Sequence, residues 1–126
     1  MATILLVDND PFQASLRKSL LERSFSNVQR VGDPVEALCL VEQPQFAEKL
    51  ALVISGYDTP VLSGPAFVAE LHTRMPSLPV LVLGDNRDAA ADYAGDRVRF
   101  LAKSATGEEM LSLAGEMLAH RELKTA

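Results

Sequence analysis

Thr3-Ile4-Leu5-Leu6-Val7-Asp8-Asn9-Asp10-Pro11 is a short β-favouring run that breaks abruptly into acids and a proline. Asp before Pro suits a helix start, because the Asp side chain can cap and the missing proline N–H costs nothing in the first turn. Phe12, Leu16 and Leu20 follow at a spacing of four, with Leu21 beside them, which extends a helix to about Ser24. A strand handed directly to a helix opens a βαβ unit, and the alternation continues. Asn27 to Val31 reads as a second, weaker strand, and Asp33-Pro34 opens a second helix by the same capping logic. That helix is expected to carry Val35, Leu38 and Val41 inward until Pro44.

Leu50 to Ile54 is apolar without alternation, as expected of a strand covered on both sheet faces. A loop from Gly56 to Gly64 leads to a third helix with Phe67, Val68, Leu71 and Met75 on one stripe. Pro76 and Pro79 precede a fourth strand, Val80 to Leu83, and the polar, alanine-rich segment from Asp85 to Arg97 supports a short helix. Val98 to Ala102 is a fifth strand. Thr106 and Glu109 have capping-box spacing, ahead of a final helix lined by Met110, Leu111, Ala114, Met117 and Leu118. Five strands alternating with five helices predict an α/β doubly wound parallel sheet. Such sheets bind ligands outside the carboxyl ends of their strands. The residues placed there are Asp8-Asn9-Asp10, Ser55-Gly56-Tyr57-Asp58, Gly84-Asp85 and Lys103-Ser104.

The chain has 126 residues, 48% of them apolar and 23% charged, which suits one domain spanning 1–126 and excludes disorder. Apolar runs stop at four or five residues, far short of the roughly 20 that cross a bilayer, so no membrane association is expected. No secretory leader pattern is visible, and the single cysteine, Cys39, fits a reducing cytoplasm and reads as a packed small hydrophobe on the second helix. A net charge of −5 argues against nucleic acid as a partner. There is no glycine-rich phosphate loop, zinc spacing or nucleophile–base set, so a binding module is expected rather than an enzyme. His72 and His120 stand on helices without metal-ligand company and are expected at the surface.

With the strand ends in view, the chain resembles the response-regulator receiver domains of two-component signalling over almost its whole length. The resemblance rests on Ile4 to Pro11, on Val53 to Pro60 with Ser63-Gly64, on Pro76 to Leu83, and on Phe100 to Lys103. It implies a flavodoxin-like (βα)5 fold with a five-stranded sheet in the order 2-1-3-4-5. It also implies a phosphoryl-accepting carboxylate at the end of strand three and two acids after strand one that hold Mg²⁺. A hydroxyl ending strand four and a Lys ending strand five would then hold the phosphate.

Measured against that pattern, Asp8 stands at the first acid position but Asn9 at the second. Gly56 stands where the phospho-acceptor is expected and Gly84 where the hydroxyl is expected. Asp8 and Lys103 remain, and Ser104 follows Lys103 in place of the usual Pro. The reading is a degenerate receiver, or pseudo-receiver, of bacterial type, acting by phosphorylation-independent protein–protein contact. Asp58, two residues beyond Gly56, is the alternative: a displaced phospho-acceptor, or a metal ligand with Asp8 and Asp10. A small-ligand-binding flavodoxin-like module is the other alternative, with the crevice deepened at Gly56 and Gly84. Lys103 is expected to pair with Asp8, Asp10 to cap its helix, and Phe100, at the switch-aromatic position, to sit inward. No cofactor is expected beyond weak Mg²⁺. The partners implied are a histidine kinase, an output domain outside this chain, or a second copy in a homodimer. The segment from Gly84 to Lys103 is a few residues shorter than is typical, so dimer geometry does not carry over.

Overall fold

The structure, a computed structural model, describes residues 2–56, 62–84, 97–102 and 106–125, with side chains described through 119. The elements are β1 (Thr3–Val7), α1 (Pro11–Glu22), β2 (Val28–Val31), α2 (Pro34–Val41), α3 (Pro44–Lys49), β3 (Leu50–Gly56), α4 (Gly64–Arg74), β4 (Val80–Gly84), β5 (Val98–Ala102) and α5 (Gly107–Thr125). All strand pairings are parallel, in the order β2-β1-β3-β4-β5. This is the flavodoxin-like arrangement. The chain winds one way from β1 to β2, then crosses back past β1 to β3 and on towards β5, so the switch point lies between β1 and β3. The segment expected to form a short helix falls largely in 85–96, outside the described residues.

Alternate residues of the buried strands feed two cores, one on each sheet face. On one face Leu5, Val7, Val53, Val80 and Val82 pack against Ala37 and Val41 of α2 and Phe67, Val68 and Leu71 of α4. On the other, Ile4, Leu6, Leu52, Ile54 and Leu81 pack against Ala14 and Leu21 of α1 and Met110, Ala114 and Met117 of α5. Phe67, Leu52 and Ile54 are fully buried; each such side chain contributes about 1.5–3 kcal/mol relative to exposure.

Local chemistry sets the helix starts. Asp10 caps α1, its carboxylate accepting from the N–H groups of Phe12 and Gln13. Asp33 caps α2 by accepting from Glu36 N–H. Thr106 and Glu109 form the reciprocal capping box: Thr106 Oγ1 accepts from Glu109 N–H at 3.1 Å, and Glu109 Oε1 accepts from Thr106 N–H at 3.4 Å. At the far end of α4, Arg74 donates to Glu70 and to Glu42 just beyond α2. Hydrogen bonds to Glu70 and then Glu42 raise its pKa, which keeps it charged.

Five expectations need correction. Pro44 begins the short α3 instead of merely ending the helix before it, because proline fits a first helical position. Phe12 and Leu16 are 73% and 54% exposed, and the inward stripe of α1 is instead Ala14 and Leu21. Val35 is also exposed, whereas Ala37 and Val41 are buried, as is Pro34 at the first position of α2. Cys39 is exposed, for it lies on the opposite side of α2 from that buried pair. His72 is partly buried, and its Nε2 lies 2.8 Å from the Leu78 carbonyl oxygen.

Candidate functional site

The parallel strands deliver their carboxyl ends to one edge: Val7 of β1 with Asp8 beyond it, Gly56 of β3, Gly84 of β4 and Ala102 of β5. The register steps across this edge as Val7 opposite Ser55, Gly56 opposite Leu83, and Gly84 opposite Ala102. Asp8 and Gly56 therefore flank the switch point. Neither glycine contributes a side chain, so the described functional groups at this edge come mainly from the β1–α1 turn.

That turn is organised around Asp8. Its Oδ2 accepts a hydrogen bond from Arg17 Nη1 at 2.6 Å, within an ion pair whose side chains are 17% (Arg17) and 11% (Asp8) exposed. Its Oδ1 accepts from the backbone N–H of Asp10 at 3.0 Å. Its carbonyl oxygen accepts from Arg30 Nε and Nη2 at 3.0 and 2.7 Å. One residue thus ties β1, α1 and β2 together. Asn9 is exposed, and the Asp10 carboxylate is directed at the N-terminus of α1, where negative charge meets unpaired N–H groups.

Arg17, the ion-pair partner of Asp8, is a residue of this turn that the sequence spacing did not single out. It lies three residues after Ala14 and four before Leu21, on the buried stripe of α1, which directs it beneath the end of β1. A cation between two core positions was the available signal. The expected partner of Asp8, Lys103, lies outside the described residues, as do Asp58, Tyr57 and Ser104; the His120 side chain is likewise outside.

A divalent cation does not fit the described residues here. Both oxygens of Asp8 are engaged, one by a full positive charge, and Asp10 is engaged in capping. Asn9 is neutral and Gly56 has no side chain. Among the described residues, no cluster of three or more His, Cys, Asp or Glu is placed to hold a metal. Phe100, on β5, is half-buried against the core shared with α2 and α4.

Beside the turn, a groove of about 280 Å³ runs between α1 and the start of α5. Phe12, Leu16, Leu20, Leu83, Leu101 and Met110 supply its apolar lining. No described helix is long and apolar enough to cross a membrane.

No family profile and no curated protein matches the sequence. Solved structures do match. A response regulator receiver domain protein from Clostridium thermocellum is similar with a TM-score of 0.83 at 22% identity, covering 98% of each chain. The signal receiver domain of an HD domain-containing protein from Pseudomonas fluorescens Pf-5 gives 0.84 at 25% identity, over 98% of this chain and 91% of that one. The signal receiver domain of a signal transduction histidine kinase from Syntrophus aciditrophicus gives 0.81 at 21% identity, over 95% and 92%. The chain has the receiver-domain fold of two-component response regulators.

Proposed function

We propose that this chain is a receiver-type signalling domain that acts through protein–protein contact without aspartyl phosphorylation. The observation that carries the reading is that β3 ends on Gly56, beside the switch point, where the receiver resemblance expects the phosphoryl-accepting carboxylate. Glycine has no nucleophile in any protonation state. Gly84 at the end of β4 and Asn9 after β1 remove the expected hydroxyl and second acid, so three departures weaken the same reaction. The domain is therefore a binding module and not an enzyme, working in the cytoplasm as a pseudo-receiver of bacterial type. Phe12 and Leu16, both exposed on α1, support recognition by a protein. The partner is a histidine kinase, an output domain outside this chain, or a second copy of the chain.

Incubation with acetyl phosphate and Mg²⁺, followed by intact mass measurement, tests this beside a conventional receiver and an Asp58→Asn variant. The expected result is no phosphoryl mass on the wild type. An adduct that disappears in Asp58→Asn would replace this reading with an active receiver whose acceptor is displaced.

A further inference from the structure

We infer that Arg17 is the resident cation of the Asp8 site, standing where a receiver-type site takes a divalent metal, so that the crevice is assembled without metal. The inference deepens the reading above and rests on it, but it is carried by different observations. A metal site after β1 needs carboxylate oxygens that are free to coordinate and a net negative charge. Here Asp8 Oδ2 is 2.6 Å from Arg17 Nη1, and both side chains are largely buried. The carboxylate's charge is thus balanced inside the protein by a guanidinium at hydrogen-bond distance.

The other groups around Asp8 strengthen the same state. Arg30 brings a second guanidinium to the Asp8 carbonyl oxygen. A dication approaching the turn meets these two positive side chains, while Asp10 and Glu36 are committed to the starts of their helices: Asp10 accepts from Phe12 and Gln13 N–H, and Glu36 accepts from Gly32 N–H. Like charge opposes binding most at Arg17, where solvent is partly excluded, and less at the exposed Arg30.

Mg²⁺ cannot act as a conditional link between β1 and the rest of the crevice, because the link is already made by a side chain of α1. Phe12 and Leu16 lie on that same helix, so they are held in a fixed position relative to β1 whatever the metal concentration.

The test is Mn²⁺ titration followed by electron paramagnetic resonance, with thermal melting in and out of Mg²⁺, on the full chain and on Arg17→Leu and Arg17→Gln. The wild type is expected to show no saturable Mn²⁺ site at millimolar concentrations and no shift of melting temperature with Mg²⁺. The neutral variants free Asp8, and at least one is expected to bind Mn²⁺ at least about tenfold more tightly than the wild type. Mg²⁺ should then raise that variant's melting temperature by a few degrees. Arg17→Gln keeps length and polarity if the leucine variant does not fold, and the wild-type titration stands without either. Saturable binding by the wild type, or no gain in any folded neutral variant, would overturn the inference. A phosphoryl adduct on the wild type would instead overturn the functional reading, so the two failures are distinct.

Discussion

Arg30 of β2 holds the carbonyl oxygen of Asp8 with two donors, Nε at 3.0 Å and Nη2 at 2.7 Å, and so clamps the exit of β1 from the edge strand beside it. A planar fork makes this possible; an ammonium on a flexible stem does not reproduce it. Arg30→Lys should behave more like Arg30→Ala than like the wild type. Each is expected to lose about 0.5–1.5 kcal/mol in urea unfolding. Amide exchange should accelerate in the turn from Asp8 to Gln13.

The Asp10 cap gives a second expectation. Asp10→Ala removes the acceptor for Phe12 and Gln13 N–H and should cost about 1 kcal/mol, while Asp10→Asn should recover most of it. Chemical denaturation of the three proteins side by side measures both.

Gly56→Asp returns a carboxylate to the end of β3 but leaves Asn9, Gly84 and the Arg17–Asp8 pair in place. The variant should not be labelled efficiently by acetyl phosphate and Mg²⁺. Robust labelling in the intact mass would mean that the other departures matter little.

Truncation should separate core from surface. Phe67→Ala, at a site with no exposed area, is expected to cost about 3–5 kcal/mol. Phe12→Ser and Leu16→Ser, on the open side of α1, should change stability by no more than about 0.5 kcal/mol. If these two residues contact a partner, the serine variants should lose binding while melting like the wild type.

Cys39 should react with a thiol reagent in the folded protein, giving one equivalent per chain without denaturant. Reaction only after unfolding would return it to the core.

Much of this architecture is legible from local chemistry. β1 and β5 run over the residues whose apolar, β-favouring character marks them, and Asp10-Pro11, Asp33-Pro34 and Thr106 with Glu109 start their helices as their side chains require. What local chemistry misses is which way an apolar residue faces. Phe12, Leu16 and Val35 have helical spacing yet point to solvent, because the sheet lies under Ala14, Leu21, Ala37 and Val41. Small residues let a helix approach a sheet closely, and a count of large apolar residues overlooks them. The same blind spot hides Arg17. Its importance comes from being between Ala14 and Leu21 and beneath Asp8, a relation between a helix and a strand end that spacing alone does not carry. The glycines at the crevice were legible only against the receiver pattern, since a missing side chain leaves no mark of its own.

The place of β1 in the middle of the sheet has a kinetic consequence. β1 precedes every other strand of this sequence, yet it is bordered on both sides, by β2 and β3. While the chain emerges at about 5–20 residues per second, Thr3 to Val7 must wait for both neighbours with its apolar side chains and backbone groups open. Each neighbour arrives only after a helical crossover, and parallel pairings of this kind close slowly. The nascent chain is therefore most vulnerable to association before Leu50 to Gly56 has been made, and a chaperone that shelters apolar strands would act in that interval.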